Sequence, residues 1–114
     1  MKPKVYIAGP YSVGDPLQNT LKAIITGDAV VDMGGVPFIP HLSHYRHERN
    51  PRPYQYWIEE DLEWLPVCHA LYRMPGESAG ADGEVAEAER LGIPVFYSLE
   101  ELAEFIQGLG GMGA

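Results

Sequence analysis

Val5-Tyr6-Ile7-Ala8-Gly9-Pro10 is a short apolar run closed by two chain-breaking residues. No polar residue alternates within it, which suits a strand buried on both faces, as in a parallel sheet. Outward from it, strand and helix signals alternate. Residues 15–33 carry Leu21, Ile24, Ile25, Asp28 and Val31 at helical spacing, with one charge beside the apolar stripe, and Gly34-Gly35 ends the helix. Residues 36–39 read as a second strand closed by Pro40. Residues 41–53 are polar and rich in proline and histidine, and read as a loop. A second helix spans 54–65, with Pro53 near its start. A strand follows over 68–74, then a helix over 81–91 stopped by Gly92, and a strand over 93–97. Ser98 caps a last helix over about 99–106, with Glu101 completing a capping box.

This alternation predicts an α/β chain: a Rossmann-like or flavodoxin-like three-layer sandwich on a four- to five-stranded parallel sheet. Residues 1–107 form one domain, and 108–114 a flexible glycine-rich tail. The chain's 114 residues are enough for one core without disulfides or metal, and no repeat or linker divides them. A hydrophobic share of 46% excludes a disordered chain. No apolar run approaches the roughly 20 residues of a membrane-spanning helix. The apolar stretch after the basic start Met1-Lys2-Pro3-Lys4 is too short for a signal-peptide core. The single cysteine rules out an internal disulfide and suits a reducing compartment, so a cytoplasmic location is expected.

The net charge is −8 and uneven. Residues 1–57 hold six Lys/Arg and four Asp/Glu, a balance of +2; residues 58–114 hold two and twelve, a balance of −10. Such a chain is a poor partner for long nucleic acid, whose affinity comes from cationic contacts to phosphate. A small anionic ligand is still within reach of local donors. Arg46, Arg49 and Arg52 cluster in the 41–53 segment, beside His44 and His47.

Ligands of doubly wound sheets bind outside the carboxyl ends of the strands. The segments there are 9–13, 41–53 and 75–80. On the 54–65 helix, Tyr54, Trp57, Ile58, Leu62 and Leu65 share one face, and Asp61 lies in its middle. An inward carboxylate must be paired, hydrogen-bonded or protonated. Asp61 is thus either an acceptor for loop backbone or a functional group facing a cavity. On the 81–91 helix, Ala81, Val85, Ala88 and Leu91 face inward and Glu84 leans the same way, among Gly80, Ala81 and Gly83. Acids favour a first helical turn, which explains the residue type at 84 but not its face. Two carboxylates on one crevice suit work on a glycosidic bond, one attacking the anomeric carbon and one handling protons. Ser78-Ala79-Gly80 opens a helix N-terminus, where Ser78 is either a plain cap or part of an anion site.

His41, His44 and His47 are spaced by three, without the pattern of a zinc motif. Loop polarity accounts for His44 and His47; His41, directly after a strand end, is a candidate ligand contact. Cys68 reads as a small core residue. Tyr54, Tyr56, Trp57 and Trp64 read as core or subunit-contact aromatics.

Asp61-Leu62-Glu63-Trp64-Leu65, followed by a strand and by Ser78-x-Gly80-x-x-x-Glu84, resembles the nucleoside 2-deoxyribosyltransferase superfamily, most of all its 2′-deoxynucleoside 5′-monophosphate N-glycosidase branch and small bacterial and phage relatives. Val5-Tyr6-Ile7-Ala8-Gly9 is similar to the first strand of that superfamily, and the likeness runs from Lys4 to about Tyr97. The resemblance implies hydrolysis of the N-glycosidic bond of a (deoxy)nucleoside 5′-monophosphate by double displacement, with deoxyribosyl transfer or nucleotide binding without turnover as alternatives. It implies Glu84 as the nucleophile, Asp61 as the carboxylate assisting departure of the base, and Tyr6 as the tyrosine orienting Glu84, with Tyr11 a rival. Gly9, Tyr11, His41, Ser78 and Gly80 would contact substrate. Serine rather than aspartate at 78 favours a 5′-phosphate, because a carboxylate there would repel it and a hydroxyl can donate to it. Arg46, Arg49 and Arg52 are candidate phosphate contacts. The segment Pro10-Tyr11-Ser12-Val13-Gly14 and the long basic 41–53 segment depart from the superfamily pattern. No metal or organic cofactor is implied, and the expected partners are a small nucleotide or nucleoside and a second copy of the chain, in a homodimer or larger homo-oligomer, with no nucleic-acid polymer and no membrane.

Overall fold

The alternating side chains of β1 (Lys4–Ala8) divide the molecule into layers. The computed structural model describes residues 1–112, and side chains as far as residue 109. Val5 and Ile7 turn to one face of the sheet, with Ala70 and Tyr72 of β3 (Ala70–Arg73); Tyr6 and Ala8 turn to the other, with Leu71. The first face is covered by α1 (Pro16–Asp32), through Ala23 and Val30, and by α5 (Leu99–Met112), through Leu102 and Ile106. The second is covered by α4 (Ala79–Arg90), through Ala81, Val85 and Ala88, with Leu65 and Cys68 beside it. Leu62 of α3 (Tyr54–Trp64) packs on the same cluster. Leu71 is fully buried, so its truncation to alanine would cost about 2–5 kcal/mol in transfer energy and residual cavity.

The sheet is parallel, in the order β2-β1-β3-β4, with β2 at Val36–Phe38 and β4 at Val95–Phe96. Tyr6 stands opposite Phe38 on one side and Leu71 on the other. The strand order reverses between β1 and β3, so the crevice outside their carboxyl ends is the expected place for a ligand. Among the described residues no helix is long and apolar enough to cross a membrane.

Four readings of the sequence are corrected. The stretch from 41 to 53 is not all loop: a 3-10 turn at Pro40–Leu42 runs straight into α2 (Ser43–Arg49). Neither end of α2 facing that turn carries a side-chain cap, and the helix buries no residue, so no apolar period marks it. The helix α1 buries Thr20, Ala23, Gly27 and Val30, not the larger Leu21, Ile25 and Val31, which are exposed. The physical reason is closeness: a Cβ on Gly27 would lie 2.6 Å from Ile39 Cδ1, so only small side chains let the helix approach the sheet there. Glu84, Ala81, Val85 and Ala88 of α4 are buried as their spacing predicts, but Leu91 is exposed, because α4 stops at Arg90. Helical hydrogen bonding in α5 continues past Ile106 to Met112, through glycines expected to fray, while residues 113–114 lie outside the described part. Strand boundaries also tighten: β3 begins at Ala70 because Leu65–Val67 forms a 3-10 turn, and β4 is a two-residue edge.

Candidate active site

Tyr6 leaves the central strand on the α4 side, and its hydroxyl donates to Glu84 Oε2 in a buried contact. The local reason is periodicity on both partners. Position 6 alternates with Val5 and Ile7, and position 84 stands one turn from Ala81 and Ala88 on the buried face of α4. Glu84 is 7% exposed, and burial pushes its carboxyl up to about 7. The Tyr6 hydroxyl and the nearby Arg73 guanidinium oppose that rise, because each favours the ionised form. Tyr6 itself is held well above the ordinary tyrosine value, first by burial and then by the Glu84 charge. It therefore remains a donor.

Asp61 lies half-buried on α3, and among the described residues no group hydrogen-bonds to it. Burial, then the charges of Glu84 and Glu60, raise its carboxyl to about 8, against a smaller opposing pull from Arg46. The two carboxyl groups sit in unlike settings: Glu84 has a tyrosine donor that favours its ionised form, and Asp61 has no such donor among the described residues. Unlike settings of this kind split a pair into a nucleophile or base and an acid.

Asp61 opens onto a cavity of about 280 Å³ lined also by Tyr11, Pro40, His41, Ser43, His44, His47, Tyr54, Trp57 and Ile58. Rings dominate this lining, which suits a flat ligand. A more open groove along Phe38, Arg46, Glu60 and Trp64 meets the cavity at Asp61. Glu84 is absent from the cavity's lining. It lies deeper, and Tyr54 bridges the gap: the Tyr54 hydroxyl is raised first by burial and then by both Glu84 and Asp61. Tyr54 also lies over the start of α4, where a Cβ on Gly80 would fall 2.4 Å from its hydroxyl oxygen.

The other expected site residues divide. Tyr11 and His41 line the cavity. His41 is buried, its Nε2 pairs with the Pro10 carbonyl at 3.0 Å, and its Nδ1 is sealed without a partner. Burial lowers its pKa, which favours the uncharged ring. Ser78 caps α4, its Oγ accepting from the Ala81 amide at 3.0 Å, and its hydroxyl proton remains free to donate. Gly9 serves packing, since a Cβ there would lie 2.9 Å from Met74 Cβ. The structure does not gather the three arginines at the cavity. Arg46 pairs with Glu60 and lies over the Trp57 ring, 4.9 Å from its centroid; Arg52 lies 4.5 Å from that of Tyr56; Arg49 is exposed. The histidines separate too: His47 accepts from Trp57 Nε1 at 2.9 Å, whereas His44 Nδ1 meets the Tyr11 hydroxyl at 2.6 Å and its Nε2 meets Glu48 at 2.9 Å. Among the described residues no three His, Cys, Asp or Glu side chains gather where a metal could be held. Cys68 is buried, and desolvation pushes its thiol up to about 11, consistent with a core role.

Three residues have surroundings that the sequence pattern did not foretell. Tyr54 is 56% exposed at the cavity edge rather than buried in a core. Arg73, the last residue of β3, is buried, donates to the Met74 carbonyl and pairs with Asp82 at 3.0 Å, where it also lowers the Glu84 pKa. His44 with Glu48 is legible only as an i, i+4 pair on a helix, and α2 carries no signal that announces it.

A family model described as "Domain of unknown function (DUF7768)" matches residues 3–98. No curated protein matches the chain. Among solved structures, the chain is similar to a 2-deoxyribosyltransferase from the psychrotolerant bacterium Bacillus psychrosaccharolyticus, at 20% identity over 81% of this chain and 69% of the other, with a TM-score of 0.58. At that identity the likeness is one of fold.

Proposed function

This chain belongs to the DUF7768 family, and we propose that it hydrolyses the N-glycosidic bond of a (deoxy)nucleoside 5′-monophosphate by double displacement through Glu84. The observation that carries the reading is the pair of carboxyl groups in unlike settings: Glu84 held by the Tyr6 hydroxyl, and Asp61 facing the cavity with no hydrogen-bond partner among the described residues. A protein that only binds a ligand has no use for a half-buried carboxylate with no partner, which is a cost to the fold.

In the first step the Glu84 carboxylate attacks C1′ as the bond from C1′ to the base nitrogen breaks. Asp61 gives its proton to the departing base. In the second step water attacks C1′, the bond to Glu84 breaks, and Asp61 takes the proton back from water. Tyr6 holds the carboxylate in line before attack and accommodates its loss of charge after it. Ser78, at the start of α4, supplies a hydroxyl and a helix N-terminus toward a 5′-phosphate.

Transfer of the sugar to a second base is the other reading, supported by the shared fold with a 2-deoxyribosyltransferase. The first step is identical, and a base replaces water in the second.

Chromatography for free base tests both. Purified protein is incubated with common ribo- and deoxynucleosides, with and without a 5′-phosphate, beside the Glu84→Ala variant. Base release that needs the phosphate and Glu84 supports the reading. Release only when a second base is present favours transfer. A folded wild type that binds nucleotide and never releases or exchanges base would overturn both.

A further inference from the structure

We propose that the cavity end remote from the carboxylates recognises a neutral N–H donor on a flat heterocycle, through a Tyr11–His44–Glu48 relay that fixes the Tyr11 oxygen as an acceptor. This rests on the proposed function, whose substrate it narrows to nucleotides of amino-bearing bases.

The cavity has two chemically different ends. The Tyr54 hydroxyl lies over the start of α4, against Gly80 and one turn before Glu84, and burial and then Glu84 and Asp61 raise its pKa; the Tyr11 hydroxyl pairs with His44 of α2, and burial and then Glu48 raise its pKa. Tyr54 therefore marks the carboxylate end, where the sugar would lie, and Tyr11 the other, where the base would lie. Both tyrosines line the same space.

At the Tyr11 end the hydrogen bonds run in one direction. Glu48 Oε1 lies 2.9 Å from His44 Nε2 and can only accept, so it claims the proton on that nitrogen. In the tautomer that places the proton on Nε2, Nδ1 presents a lone pair 2.6 Å from the Tyr11 oxygen. The Tyr11 proton fills it. What Tyr11 presents to the cavity is its oxygen lone pair, with no proton left to give.

The acceptor is also held still. Asn19 on α1 donates to the Tyr11 and Val13 carbonyls, each at 2.8 Å, tying down the connection after β1. The His41 ring meets the Tyr11 ring edge-on, with centroids 6.3 Å apart. A fixed acceptor in a confined space favours a ligand donor and rejects a ligand oxygen at the same point. Cytosine against uracil, and adenine against hypoxanthine, exchange an exocyclic amino donor for an oxo acceptor, with the neighbouring ring nitrogen changing from acceptor to N–H donor.

Binding calorimetry at pH 8 with matched pairs tests this: cytidine against uridine 5′-monophosphate, and adenosine against inosine 5′-monophosphate. The Glu84→Gln protein is used, to stop turnover. The amino member of at least one pair is expected to bind about tenfold tighter, the worth of one hydrogen bond between neutral groups plus the repulsion it replaces. Tyr11→Phe in that background should bring the ratio to about one by weakening the amino member. Glu48→Gln, at an exposed position, should narrow the ratio, because an amide can donate to His44 Nε2 as well as accept from it and no longer imposes one tautomer. Equal affinities within both pairs, an unchanged ratio in Tyr11→Phe, or no binding of any of the four would overturn the inference. Base release by wild type without amino preference would sink this inference alone; amino preference in binding without base release would sink the glycosidase reading alone.

Discussion

The Tyr6 hydroxyl and the Glu84 carboxylate meet in the buried layer between β1 and α4, although 78 positions separate them in the chain. The contact joins the middle of the sheet to the helix that Ser78 caps. Its removal by Tyr6→Phe takes away a donor and little else, since the ring still packs against Phe38 with centroids 5.3 Å apart. A hydrogen bond to an ionised group is worth about 1.5–3 kcal/mol, so base release should fall about 10- to 100-fold. Thermal unfolding should show a folded variant, and the acidic limb of its pH profile should move upward, because Glu84 loses a group that favours ionisation. An unmoved limb would mean that Tyr6 only packs.

The pH–rate profile of the wild type should be a narrow bell. Activity needs Glu84 ionised, which holds above about 7, and Asp61 protonated, which holds below about 8. The rate should therefore peak between these values and fall on both sides. Asp61→Asn should abolish the alkaline limb together with most of the rate.

The same substitution should stabilise the fold in alkaline solution. Asp61 has a folded-state pKa raised from 3.8 to about 8, so the native protein binds more protons than the unfolded chain across that range. Its contribution to stability falls as pH rises through the window and is constant above it. Denaturant unfolding of wild type and Asp61→Asn should give similar stabilities near pH 4 and a gap that opens to about 1–3 kcal/mol by pH 9, the scale of an unpartnered buried polar group. A gap of opposite sign would show that the Asp61 carboxylate has a stabilising partner.

Two glycines of α4 should respond in opposite ways. A Cβ at Gly80 would fall 2.4 Å from the Tyr54 hydroxyl oxygen, whereas one at Gly83 would meet nothing within 4 Å. Gly83→Ala should stabilise by up to about 1 kcal/mol through helix propensity. Gly80→Ala should displace Tyr54 from the cavity edge and weaken nucleotide binding. Combining it with Tyr54→Phe, which removes the clashing atom, should recover part of the stability lost. Calorimetry and thermal unfolding on the three proteins check this.

Ser78→Asp separates phosphate recognition from helix capping. Aspartate caps helices as well as serine does, so α4 should keep its start and the protein its stability. The added negative charge should lower the use of nucleoside 5′-monophosphates by about tenfold or more while affecting nucleosides less. Equal losses for both substrates would remove Ser78 from the phosphate site.

The alternation of strands and helices is legible because β1 and β3 are buried on both faces and α4 keeps a strict helical period. The inward lean of Asp61 and Glu84 follows from the same period. What escapes the sequence depends on contacts between distant segments. The packed face of α1 is made of Thr20, Ala23, Gly27 and Val30, small residues whose value lies in letting Ile39 come close, so the larger side chains misdirect the eye to the exposed face. The helix α2 has no apolar period because it buries nothing. Arg73 is one more position of the 68–74 strand until Asp82 and the Met74 carbonyl are seen to hold it. Tyr54 reads as core until Gly80 is seen beneath it.

The two ends of the cavity hang from different parts of the frame. Tyr6, Asp61 and Glu84 come from β1, α3 and α4, which carry the second core; His44 and Glu48 come from α2, which contributes no buried residue. Changes within 43–49 therefore leave the packing behind the carboxylates untouched. Within a lineage built on this frame, substitutions in α2 can reshape one end of the cavity while the packing around Tyr6 and Glu84 is inherited whole.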